Sequence, residues 1–287
     1  MNPGLSATIF IGCSTSSVSG APFILRYKTR FDSWAPGYVL ADAYPGVQER
    51  ILLSYPTTPE FEKHSDNLRA VKKSLVQIER LHKRAIRESD EAAVLSVRIW
   101  HHVNVGIMAE ALLRHIVVDP TGFNDRERKL IWSQRAQEDR WTHAVDLAFY
   151  RHYRVLFHID LSVGLPPAAQ LRRATVKELI NKEIANVITA RNKIAHGQWA
   201  WHLKSRKENE FQSSPIAGAP NYVSINAQKK LIEAIGQLVH ILVVSEPTFD
   251  RDFDEITQEI DKFKNKLDGA EYSAFQAELQ RNKRRQP

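Results

Sequence analysis

The sequence predicts an all-α protein, a helical bundle, and three observations carry that expectation. At least five long stretches repeat their apolar residues at helical spacing. No convincing strand-type alternation separates them. Cap residues, prolines and glycines stand where the periodic stretches begin and end.

Residues 1–57 are the exception. Short apolar runs at 8–11, 23–25, 38–40 and 51–53 are broken by Gly, Pro and Ser, and read as an irregular, β-containing N-terminal extension of short strands and loops. Thr58-Pro59-Glu60 then opens a helix with a cap residue, Pro at the first position and early negative charge. Leu68, Val71, Leu75, Ile78 and Leu81 give it a narrow stripe to about residue 88. Asp90 caps a second helix over 91–118, apolar nearly all round and stopped by Asp119-Pro120. A third helical region spans 124–157, with a break near 136, and ends before Gly164, Pro166 and Pro167. Thr175-Val176-Lys177-Glu178 has the capping-box pattern and opens a helix that Gly197 closes. Residues 203–223 are polar with two prolines and a glycine, a surface loop, and 225–245 form another apolar helix. Phe249, Phe253, Ile256, Ile260, Phe263 and Leu267 alternate spacings of four and three, a coiled-coil-like seam. The basic tail 281–285 is expected to fray. The chain thus divides into an extension (1–57), a helical domain (58–246) and a C-terminal stretch of amphipathic helix and basic tail (247–287). The two narrow-striped helices, 59–88 and 249–267, are expected to pack together or against a second protomer.

Composition narrows the function classes. A net charge of +7 favours an anionic partner such as nucleic acid. Cys13 is the only cysteine, which excludes an internal disulfide framework and a thiolate metal site and fits a reducing compartment. The N-terminus lacks the basic region and long apolar stretch of a signal peptide. The apolar run 94–118 contains Arg98, His101, His102, Asn104, Glu110, Arg114 and His115, too many polar groups for a membrane span. A cytoplasmic protein without a membrane partner is expected. There are eleven histidines, but no pair has metal-site spacing, and adjacent His101 and His102 cannot face the same way on a helix. No Gly-rich phosphate loop is present and Cys13 has no placed histidine, so neither a metal, a cofactor nor cysteine catalysis is expected.

The segment Arg191-Asn192-Lys193-Ile194-Ala195-His196-Gly197 says most about function. Arg191 falls near the centre of the stripe formed by Ile180, Ile184, Val187, Ile188, Ile194 and Ala195. A guanidinium there needs an anionic partner or a polar cleft. Asn192 and His196, four apart, share the neighbouring face. Neutral imidazole suits proton transfer near pH 7, and the arginine fork suits a phosphate. Asn192 can orient the imidazole or bond the substrate.

Arg191-Asn192, three residues, then His196, with the Ala195-His196-Gly197 ending, resembles the signature of the HEPN superfamily. A weaker echo lies in Ala109-Glu110-Ala111-Leu112-Leu113-Arg114-His115-Ile116, which looks like the family's earlier core helix. The resemblance implies an all-helical, HEPN-like core and a metal-independent endoribonuclease in which the ribose 2′-OH attacks the phosphate. Arg191, His196 and Asn192 would be the catalytic residues. It also implies a homodimer with a composite active site, since one His and one Arg are meagre for acid and base together. Toxin–antitoxin and phage-defence roles, with an antitoxin or defence-system partner, come with the family. The other reading is a non-catalytic HEPN-like dimerisation or ligand-binding module: Arg191 pairs with a core glutamate, His196 satisfies the helix end and Gly197 stops the helix. Glu110 is the candidate carboxylate to orient Arg191, or else an ordinary interhelical or exposed side chain. Trp199, Trp201, Lys204, Arg206 and Lys207, with Lys193, mix rings and positive charge beside the motif and are candidates to hold RNA. The competing place for the tryptophans is the core.

Overall fold

The computed structural model describes residues 57–199, 201, 203, 210–211 and 220–283. The strands expected within 1–56 and the last residues of the basic tail lie outside these. Helix α1 (Pro59–Glu88) starts where the cap predicts: the Thr58 side chain accepts from the Phe61 amide at 3.2 Å. Ser89, in the left-handed region, ends it. One residue on, the Asp90 side chain caps α2 (Glu91–Val117). So short a link makes α1 and α2 antiparallel neighbours along much of their length.

The third region breaks as expected. Helix α3 (Asp125–Trp132) carries a capping box between Asn124 and Glu127, and α4 (Gln137–His152) follows. Helix α4 ends at His152, short of residue 157, and a single turn, α5 (Leu161–Gly164), intervenes. The Thr175 expectation is corrected. The helix that carries the motif begins with α6 at Pro167, which extends to Leu179. Pro at a first turn starts a helix as readily as it ends one, because its missing N–H is not needed there. Thr175 lies mid-helix, its hydroxyl donating to the Leu171 carbonyl at 3.1 Å, and Glu178 pairs with Lys182 instead of closing a box. The rod continues through one π-turn at Ile180–Ile184 into α7 (Ala185–Ala195).

Helix α8 (Tyr222–Val244) starts on an Asn221 cap, and α9 (Glu246–Lys264) begins beside Pro247. A further helix, α10 (Tyr272–Lys283), lies within the C-terminal helical stretch expected over 247–287, beyond the seam that ends at Leu267. Helix α9 lies along α8, and α1 along α2, so each striped helix mainly covers a core helix. No strand occurs among the described residues; Leu203 and Phe211 form one isolated antiparallel bridge. No helix among them is long and apolar enough to cross a membrane.

Helix α2 is the axis of the bundle, touched by α1, α7 and α8. Val105, Met108, Ala109, Leu113 and Ile116 of α2 join Ile184, Val187 and Ile188 of the motif rod and Ile235 and Leu238 of α8 in one continuous core. Two carboxylates fix the rod's other end. Asp146 on α4 receives Arg173 (2.8 Å) and Lys177 (3.0 Å). Asp250 on α9 receives Arg172 and the Tyr153 hydroxyl, the latter at 2.8 Å. The motif therefore rides on a helix held along its length.

Candidate functional site

The seam between α2 and α7 positions the motif. Gly106 makes the close approach possible: a Cβ there would lie 2.7 Å from the Arg191 Cβ and 2.8 Å from the Val187 carbonyl oxygen. One helical turn beyond, Glu110 forms an ion pair with the Arg191 Nη2. Both side chains are partly exposed, so the pair sits in the seam and not in the core. Burial lowers the Arg191 pKa from its ordinary value, and a guanidinium stays charged at neutral pH even so. Its Nε is buried with no hydrogen-bond partner. The fork thus keeps donor capacity beyond Glu110.

Sequence reasoning placed Arg191 amid an apolar stripe, and the buried part of that stripe is Ile180, Ile184, Val187 and Ile188. The stripe stops short of its expected end. Ile194 is half-buried and Ala195 exposed. Asn192 and Lys193 are half-buried and His196 is exposed. His196 is the cap residue, and its backbone N–H donates to the Asn192 carbonyl at 3.0 Å. Among the described residues its imidazole has no hydrogen-bond or ion-pair partner, and nothing ties it to Arg191 or Glu110.

Gly197 ends the helix with φ +78, and the space around it is open, so its backbone conformation alone calls for glycine. Gln198 N–H bonds the Lys193 carbonyl and Gly197 N–H the Ile194 carbonyl, the two bonds of a Schellman motif. The turn brings Trp199 back onto the helix end, where its indole N–H donates to the Ile194 carbonyl at 3.0 Å. There it meets Trp100 of α2 edge to face, with ring centroids 5.7 Å apart. Trp199 and Trp201 are exposed, at 43% and 45%, so neither is a core residue. Lys204, Arg206 and Lys207 lie outside the described residues.

Two residues beside the site escaped the sequence reading. Gly106 had a readable signal, a lone glycine inside a long helical pattern, which marks a packing constraint. Trp100 had none, because an all-apolar helix does not say which strip its neighbours leave bare.

His82, His101, His102, His115 and His152 are buried, whereas His158 is exposed. His82 Nδ1 and His101 Nδ1 stand 3.2 Å apart, both residues fully buried, with Tyr222 packed edge-on against His82. Burial pushes both imidazoles down to about 4. His102 and His115 are likewise lowered by burial to about 4. His240 Nε2 contacts Asp119 Oδ2 at 3.0 Å. Burial raises the Asp119 carboxyl, but hydrogen bonds from His240 and Thr121 outweigh it and hold the group below its usual range. No three His, Cys, Asp or Glu side chains converge as a metal site among the described residues.

Comparison of the chain with protein-family models, curated proteins and solved structures finds no match.

Proposed function

We propose that the end of α7 is the active site of a metal-independent endoribonuclease of the HEPN type. The observation that carries this reading is the combination of a half-buried Arg191, braced by Glu110 and Gly106, with an exposed His196 five residues on that has no partner for its ring among the described residues. The charge is anchored and the proton carrier is free, which is the division of labour that RNA cleavage needs. His196 takes the ribose 2′ proton as the 2′ oxygen attacks phosphorus. Arg191 bonds the non-bridging oxygens and stabilises the phosphorane. The 5′ oxygen leaves with a proton from a second imidazole, and the products are a 2′,3′-cyclic phosphate and a 5′-hydroxyl. A two-fold homodimer that brings two motif ends together supplies that second imidazole. Asn192 orients the ring or the substrate, and Lys193 and the segment 199–207 hold the strand. A reducing, cytoplasmic setting and a toxin or phage-defence role belong to the same proposal.

Purified protein incubated with total RNA in EDTA tests it. Chelator-resistant cleavage that leaves a cyclic phosphate, and is lost in His196→Ala, supports the reading. Light scattering that shows a fully active monomer contradicts the composite site. The non-catalytic module is favoured by one feature, that Glu110 already occupies part of the Arg191 fork. Intact RNA at every enzyme concentration would leave that second reading standing.

A further inference from the structure

Resting on the nuclease reading, we propose that Trp100 and Trp199 form a stacking corner for one unpaired base close to the scissile phosphate, so that the substrate is single-stranded RNA. The two rings meet at 80°, edge to face. That geometry leaves at least three of the four ring faces uncovered by the partner ring, and the rings are 51% and 43% exposed. Neither ring is loosely hung. Trp100 stands on the ordered α2, and Trp199 is tied twice, by its backbone N–H to Gly197 and by its indole N–H to Ile194, both at 3.0 Å. Rigid aromatic faces held open to water at the end of a cationic helix match a nucleobase in shape and its phosphate in charge. Lys193 and Arg191 supply that charge, in a chain of net charge +7.

Position gives the register. Trp100 precedes Glu110, which holds the Arg191 guanidinium, by ten residues, or roughly 15 Å of helix rise. Stacked nucleotides advance about 3.4 Å each along a strand, so the stacked base lies within about five nucleotides of the phosphate at Arg191. A duplex keeps its bases stacked on one another and offers the corner nothing.

The test uses a 2′-O-methyl oligonucleotide, which lacks the nucleophile and reports binding without cleavage. Wild-type protein is expected to bind it as a single strand far more tightly than as a duplex. Trp100→Ala is expected to weaken single-strand binding roughly 5- to 150-fold, the range for loss of one base–aromatic stack. Trp100→Phe is expected to restore most of it and Trp100→Leu, apolar without a π face, is not. An abasic position within about five nucleotides of the cleaved bond should weaken wild-type binding and cost nothing further in Trp100→Ala. An unchanged melting temperature of Trp100→Ala shows that the fold is intact; if that variant unfolds, Trp199→Phe and Trp199→Leu replace it in the same comparison. Equal affinity of all variants, or of single strand and duplex, overturns the corner while leaving the nuclease intact. Conversion of a dimer to monomers by Trp100→Ala, with binding restored at high protein concentration, overturns it too and makes the rings a contact between copies. Absence of any RNA binding or cleavage by wild-type protein removes the nuclease reading itself, and the corner with it.

Discussion

The His82–His101 pair and the His196 end of α7 set the same side chain in opposite circumstances. The first two imidazoles are sealed between α1 and α2 beneath Tyr222, and burial holds them neutral. His196 stands exposed at the end of a helix, with no hydrogen-bond or ion-pair partner for its ring among the described residues. A buried imidazole donates to its neighbour and fills space; it cannot meet a substrate. Among the described histidines, His82, His101, His102, His115 and His152 are thus withheld from substrate, and sequence position alone does not separate the two kinds.

That contrast can be broken by mutation. His196→Ala is expected to lose at least ~100-fold in RNA cleavage, the usual size of a general acid–base contribution, with no change in thermal stability. His82→Ala is expected to do the reverse, lowering the melting temperature while leaving specific activity per folded molecule unchanged. Cleavage assays paired with thermal melts decide this, and a stability loss in His196→Ala would dissolve the distinction.

Acid sharpens the same comparison. His82, His101, His102 and His115 have folded pKa values of about 4, below the unfolded 6.5. Between those values the unfolded chain binds more protons, so stability falls as pH drops from about 6.5 towards 4 and levels below. Chemical denaturation at pH 7 and pH 5 should show a clearly lower midpoint at pH 5. His101→Gln should flatten that slope.

Smaller effects probe the bracing of Arg191. Gly106→Ala forces α2 and α7 apart and is expected to destabilise the fold by about 1–3 kcal/mol, the range for overpacking, and to impair cleavage beyond that loss. Arg191→Lys should bind RNA yet cleave it poorly, since a point charge cannot reproduce the fork. Steady-state kinetics at saturating RNA would show it as a fall in kcat. The least effect is expected from Gly197→Ala, on the order of 1 kcal/mol for the left-handed backbone alone, because the space around it is free. A much larger loss in a denaturant melt would mean that the Schellman turn holds more than the helix end.

Much of the architecture was legible because local chemistry and tertiary packing agree. Thr58 and Asp90 cap the helices they were expected to cap. Thr175 misled for the opposite reason: the same letters that close a capping box are neutral inside a helix already started upstream. The C-terminal stretch was expected to be helical, but the bounds of α10 were not legible, because Tyr272, Phe275 and Leu279 form a short stripe whose value lies in its docking against Ala85, Ile86, Val94 and Tyr222. At the site, Arg191 announced itself as a charge in an apolar row, and Glu110 one turn beyond Gly106 meets it. Trp100 gave no such sign, since its exposure depends on which neighbours fail to cover it.

The π-turn at Ile180–Ile184 carries a consequence for chain length. Its backbone bond runs from the Ala185 amide to the Ile180 carbonyl, five residues back where an α-helix uses four. The rod therefore holds one residue in surplus between two halves that are each fixed by their own contacts: Asp146 and Asp250 grip α6, and Gly106 and Glu110 grip α7. A relative one residue shorter at this point would close the turn into ordinary α-helix and leave both halves facing as they do. The segment before the motif is thus a place where the protein can gain or lose a residue without re-aiming Arg191.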